Sequence, residues 1–159
     1  MRMTNTQCRS EFFGARVARL ATVSAAGDPH LVPVTFAVID ATPASADRPA
    51  EGPAPDTAAL VVFAVDHKPK STTALRRLDN IAANPRVAFL VDFYDDDWDR
   101  LWWVRADATA GVIEGADRLR AIAALRAKYP QYERVVPRGV VVGGTVSGWS
   151  GWRSARDGQ

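Results

Sequence analysis

One cysteine, two histidines and a nearly balanced charge leave this 159-residue chain with few of the groups on which chemistry usually rests. The lone Cys8 excludes an internal disulfide, and His30 and His67 stand apart from other ligating residues, without zinc-site spacing. No apolar run approaches the ~20 residues that cross a bilayer, and the first residues lack the hydrophobic centre of a secretion signal, so a cytoplasmic protein is expected. Lys and Arg number 20 against 18 Asp and Glu, a net charge of +2 spread along the chain, which argues against nucleic acid and for a small anionic ligand. Also missing are a Gly-x-Ser-x-Gly elbow, a cysteine paired to a motif histidine and a Gly-x-Gly-x-x-Gly fingerprint. Asp95, Asp97 and Asp99 open like a calcium loop, but Arg100 replaces the required glycine and Ala106 the closing glutamate, so no metal is expected.

What is present is a 47% apolar chain suited to one domain, 1–159. Residues 1–15 fit a short helix across an opening of the core. ARLATVS, the turn Ala26-Gly27-Asp28-Pro29 and the alternating stretch His30 to Ile39 predict a β-hairpin with Val32, Val34, Phe36 and Val38 on one face. Pro33 cannot donate to a ladder and marks either a protected edge or backbone open to a ligand. Residues 40–58, rich in Pro and Ala, form an insertion that is either a lid or decoration. AALVVFAV, 58–65, and RVAFLVDF, from Arg86, read as strands buried on both faces. DDDWD is a hairpin tip before the long strand LWWVRADATAGVIE. There Trp102, Val104, Ala106, Ala108 and Ala110 share one face, while Leu101, Trp103, Arg105, Asp107 and Thr109 share the other, a mixture suited to a subunit interface or a ligand wall. ADRLRAIAALRAKYP predicts a helix with Leu119, Ile122 and Leu125 inward and Arg118, Arg120, Arg126 and Lys128 solvated. A glycine-containing strand and a loop bearing Trp149, Trp152 and Arg153 follow. The order of elements predicts a small, mainly β (α+β) barrel of about six antiparallel strands with flanking helices.

The segment 66–86, DHKPKSTTALRRLDNIAANPR, carries the clearest anomaly. Ser71 or Thr72 suits an N-cap, Leu75, Leu78 and Ile81 recur at helical spacing, and Asn84-Pro85 stops the helix. Yet Lys68 and Lys70 precede a helix start, where the partial positive charge favours carboxylates. A phosphate held by the two ammonium groups, the hydroxyls of Ser71, Thr72 and Thr73 and the free N–H groups would resolve the conflict. Pairing of Asp66 with one lysine and solvation of the other is the alternative.

Taken together, RVARLATVSAAGDPHLVPVTF, HKPKSTT and NPRVAFLVDFYDDDWDRLWWVRADATA resemble the pyridoxamine 5′-phosphate oxidase-like split-barrel superfamily, specifically its actinobacterial branch of coenzyme F420-dependent oxidoreductases. The resemblance runs from about Arg16 to Trp152. It implies an FMN-binding type of split β-barrel, a homodimer with two cofactor sites at the subunit interface, and a basic loop that holds the cofactor phosphate, matching Lys68 and Lys70. By the same resemblance, Val32, Pro33 and Val34 line the deazaflavin ring with Val65 and Asp66 beside it. Trp98 or Trp103 comes from the partner subunit, and Trp149 closes the pocket. The insertion and the helix before Pro85 are longer than in the shortest relatives. Two lysines replace the arginine–lysine pair of the flavin-using oxidases, favouring F420 over FMN. The implied function is hydride transfer between F420 and a small organic substrate. An FMN-dependent oxidase or reductase and a non-catalytic cofactor-binding protein are the alternatives, because fold does not choose among them.

Overall fold

Each β-prone stretch between turn signals forms an antiparallel strand in the computed structural model, which describes residues 1–41, 59–65 and 72–155, with residues 72–75 described by backbone alone. Strands β1 (Ala18–Val23), β2 (Pro29–Val34), β3 (Ala37–Asp40), β4 (Ala59–Ala64), β5 (Arg86–Phe93), β6 (Trp102–Val112) and β7 (Val141–Arg153) are accompanied by helices α1 (Asn5–Gly14), α2 (Thr72–Ala83), α3 (Gly115–Lys128) and α4 (Pro130–Arg134). The strands form one sheet of order β2-β1-β5-β6-β7-β4-β3. Its two edge strands, β2 and β3, are consecutive in the chain and separated only by Thr35 and Phe36, so the sheet curls round toward itself. No pairing joins β2 to β3 among the described residues. The result is a mainly β split barrel with flanking helices.

The sequence predicts one strand from His30 to Ile39, and about six in all. The structure breaks that stretch, and there are seven. The break is held by Tyr129, whose hydroxyl accepts from the Phe36 N–H (3.0 Å) and has the carbonyls of Arg16 (2.7 Å) and Phe36 (3.0 Å) as acceptors. The backbone groups freed by leaving one edge and joining the other thus find a partner from a distant helix end.

The inner face gathers Leu20, Phe36, Phe63, Phe89, Val91 and Val104, all fully buried. α1 closes one opening of this core. It starts in a capping box in which the Gln7 N–H donates to Thr4 Oγ1 (3.3 Å) and the Thr4 N–H to Gln7 Oε1 (2.9 Å). Phe12 is buried against Phe36, with ring centroids 4.9 Å apart, whereas its neighbour Phe13 is exposed. Gly151 of β7 is required beneath α1, since a Cβ there would lie 2.6 Å from Cys8 Sγ and 3.2 Å from the Trp103 carbonyl. A second apolar cluster forms outside the sheet, where α3 lays Ala121 and Leu125 on Ala37, Leu60, Val62 and Val141.

Several expectations change with the fold. β4 is buried on both faces as predicted, but β5 alternates, with Val87, Phe89 and Val91 buried and Ala88 and Leu90 only half-buried. Leu119 points outward, 72% exposed; the inward stripe of α3 is Ala121 and Leu125, with Ile122 half-buried against the same cluster. The basic residues of α3 are not simply solvated. Arg118 donates to the Gly139 carbonyl (2.9 Å), Arg120 to the Asp40 carbonyl (2.6 Å) and Arg126 to Glu133 (2.9 Å). The C-terminal tryptophans lie within β7 rather than in a loop after it. The insertion at 40–58, beyond Asp40 and Ala41, lies outside the described residues.

Candidate functional site

β2 is an edge strand that pairs only with β1, so every second peptide group along it turns away from any ladder. Its last three residues divide by the pleat. Val34 is buried, Val32 is half-buried against the core, and Pro33 is exposed opposite Arg19 on the outer face. Pro33 therefore sits where a missing N–H costs the ladder little.

At the far side of the core β4 ends at Ala64, and Val65, 5% exposed, is pinned by its N–H to the Val140 carbonyl at 2.8 Å. Asp66, Lys68, Lys70 and Ser71 lie outside the described residues. The chain re-enters at Thr72 and Thr73, the first residues of α2, whose first turn carries no acidic side chain. Ile81 (5% exposed) and Leu78 seat this helix on the core as the spacing predicts. Asn80, buried to the same degree, donates its amide to Thr22 Oγ1 of β1 at 2.9 Å, and the two satisfy one another.

One turn before Asn80 stands Arg77, half-buried, its Nε without a partner among the described residues. Burial lowers the pKa of its guanidinium below the ordinary value. Arg77 and Asn80 were not picked out from the sequence, although their spacing of three puts them on one helical face. A polar residue on an inward face looks the same in sequence as one on a solvated face until its partner is known. His30 of β2 is similar: half-buried, with Nδ1 unpaired.

The three candidate-site tryptophans, Trp98, Trp103 and Trp149, occupy different environments. Trp98, in a 3-10 turn at the β5–β6 tip, is 76% exposed. The acids around it serve local structure, the N–H groups of Asp97 and Asp99 donating to Asp95 Oδ1 (3.2 Å) and Asp97 Oδ1 (3.1 Å), and Arg100 pairing with Asp95 (2.9 Å). Trp103 is half-buried on the outer face of β6, between Asp92 and Trp152 in register. Trp149 is 9% exposed on the inner face, its ring edge-on to Phe12 at 5.2 Å and its indole Nε1 buried without a partner among the described residues. Within one chain the fold thus brings Val34, Val65 and Trp149 into one core, with Val32 packed against it, and leaves Trp103 on the other side of the sheet and Trp98 exposed at the hairpin tip.

That outer side is a patterned surface. Pro33, Arg19, Leu90, Arg105 and Ser150 form one cross-strand row, and Leu31, Ala21, Ala88, Asp107 and Gly148 the next. Four of its charged residues pair within the chain: Arg19 with Asp92, and Arg105 with Asp107 at 3.0 Å. Leu31 is left 67% exposed and Trp152 37%. Among the described residues, no helix is long and apolar enough to cross a membrane.

The family model described as pyridoxamine 5′-phosphate oxidase matches residues 5–153. Three solved structures illustrate the fold. An FAD-binding protein from Mesorhizobium loti is 18% identical, with 95% of this chain and 93% of that one aligned and a TM-score of 0.66. An FAD-binding protein from Mycobacterium smegmatis is 15% identical over 97% and 98% of the two chains, at 0.61. The heme storage protein of Vibrio cholerae is 16% identical over 96% and 98%, at 0.62. At such identities the likeness is one of fold. A comparison with curated proteins found no match.

Proposed function

The chain belongs to the pyridoxamine 5′-phosphate oxidase family, and on that premise we propose that it is an oxidoreductase using a phosphate-bearing flavin-type cofactor, with the deazaflavin F420 as the cofactor the sequence resemblance favours. The observation that carries this reading is the family match across residues 5–153, which includes every candidate cofactor residue. The residues present fit such a group. α2 opens without a carboxylate in its first turn, and the same helix holds Arg77 with a buried, unpartnered Nε. Lys68, Lys70, Ser71, Thr72 and Thr73 would supply charge and hydroxyls for the phosphate, while Val32, Pro33, Val34, Val65 and Asp66 would supply the wall for the ring.

When bound, the cofactor provides the hydride chemistry, and no nucleophilic side chain is needed. The chain's own residues then act by position. The edge backbone of β2 orients, the apolar Val32, Val34 and Val65 exclude water, and the cations hold the anionic end. A second copy of the chain would cover the outer face of β2-β1-β5-β6 and place Trp98 or Trp103 at its neighbour's site. Support for this comes from the exposed Leu31 and Trp152, the small Ala21, Ala88 and Gly148, and charges already paired within the chain.

Equilibrium fluorescence and absorbance titrations of the purified protein with F420, FMN and FAD test the reading. F420 should saturate at the lowest concentration. Tighter FMN or FAD binding replaces the cofactor, a possibility kept open by the two FAD-binding neighbours, and binding of none ends the oxidoreductase reading. If a cofactor binds but reduced cofactor passes no hydride to electron-poor acceptors, the chain is a carrier, the reading to which a heme storage neighbour lends weight. In the double variant Lys68→Ala, Lys70→Ala, affinity should fall about ten- to a hundredfold per lost charge-assisted contact, with the apo melting temperature unchanged or raised.

A further inference from the structure

A groove of about 470 Å³ runs between the C-terminal end of α1, strand β3 and the last turns of α3. Its walls are Phe13, Gly14, Ala37, Val38, Ala124 and Ala127, and the cations Arg16 and Lys128 complete the lining. It shares no lining residue with the proposed cofactor site. The small residues on three separate elements leave it open, and a leucine at any of them would fill part of it.

The two cations are placed unusually. Lys128 Nζ lies 3.9 Å from the centroid of the Phe36 ring and donates to the Phe13 carbonyl at 3.3 Å. Arg16 stacks over Tyr129, 5.1 Å from the centroid, and donates to the carbonyl of Lys128 at 3.1 Å. Every one of these partners is neutral, and no carboxylate pairs with either cation among the described residues. Two like charges therefore face one apolar trough. The consequence is visible in the amine itself: burial, and then repulsion by Arg16, lower the pKa of Lys128 to about 8.

We propose that this groove binds an amphipathic monocarboxylate, its hydrocarbon or aromatic body along Val38, Ala124 and Ala127 and its carboxylate between Arg16 and Lys128. The apolar walls provide affinity without direction, and the paired cations select the anion and fix its polarity along the groove. A neutral ligand of the same shape gains only the first contribution. A small dianion gains only the second.

Decanoate, below its micelle concentration and at low salt, serves as the probe, with decan-1-ol as its uncharged counterpart. The full-length protein should bind decanoate saturably. Lys128→Met, which keeps the stem and removes the charge, should weaken decanoate about tenfold or more and leave the weak binding of decanol unchanged. Ala127→Trp, at an exposed position, should abolish decanoate binding by filling the trough. Decanoate should also slow acetylation of Lys128 by acetic anhydride relative to Lys68 and Lys70, read by peptide mass mapping of the wild-type protein, an arm that needs no variant to fold. Equal decanoate affinity in wild type and Lys128→Met, decanol binding as tight as decanoate, or no selective protection of Lys128 would each overturn the proposal.

Discussion

The two flanks of the sheet differ in what covers their outer faces, although the sequence describes their strands in similar terms. Over β4 and its neighbours β3 and β7, α3 buries Leu60, Val62 and Val141 beneath Ala121 and Leu125, and β4 has no exposed face. Over β2, β1, β5 and β6 the outer face keeps Arg19, Leu31 and Arg105 exposed and Leu90 half-buried. AALVVFAV and RVAFLVDF are both apolar runs of strand length, yet among the described residues only the first has both faces covered. An apolar run thus does not by itself fix whether a strand's second face is covered within the chain. On the uncovered flank the cover we propose is a second copy of the chain.

The comparison is broken most severely from the covered flank. Leu125→Ala should destabilise the protein by about 2–5 kcal/mol in urea unfolding, because a fully buried side chain leaves a cavity between helix and sheet. A loss under about 1 kcal/mol would mean that α3 is dispensable to that flank. Tyr129→Phe removes one oxygen and should still cost about 1–3 kcal/mol, since it strips the buried Phe36 N–H of its partner at the break between β2 and β3. No loss would show that the break holds by itself.

On the uncovered flank the expected change is in assembly rather than stability. Leu31→Glu should convert a dimer to a monomer in sedimentation equilibrium while moving the monomer's unfolding free energy by no more than about 0.5 kcal/mol. A wild-type monomer at micromolar concentration would remove the proposed interface. The smallest effect is one of pH. Burial and Arg16 lower the pKa of Lys128 from 10.5 to about 8, so between those values the unfolded chain binds more protons than the folded one. Stability should therefore rise as pH increases from about 8 to 10.5, modestly because the group is half exposed and screened. Lys128→Met should remove that rise, as measured by urea midpoints across the range.

The hairpin of β1 and β2, the doubly buried β4, the alternation of β6 and the amphipathic α2 were legible because each depends on the period of a local pattern. In the α3 stripe Leu125 and Ile122 face the sheet as predicted, whereas Leu119 is exposed and the less hydrophobic Ala121 is buried in its place. The strand ending was misread because Trp149 and Trp152 among glycines look like loop, whereas pairing with β6 through Ala106 and Trp103 keeps them in the sheet.

Within the candidate site, the residues of the β2 edge and of Val65 were legible as strand ends. Arg77 and Asn80 there, and Lys128 in the separate groove, were not. Each owes its character to a neighbour remote in sequence: Asn80 to Thr22, Lys128 to Arg16 and Phe36, and Arg77 to the burial of its Nε. The sequence by itself determined a mainly β fold, the placing of its turns and the family it belongs to, because backbone periodicity, turn chemistry and motif order are written along the chain. Only the tertiary structure decided that residues 30–39 serve both edges of one curled sheet and, among the described residues, which flank is covered and which cations lack a counter-charge. Those depend on distances between residues far apart in sequence, which no local pattern encodes.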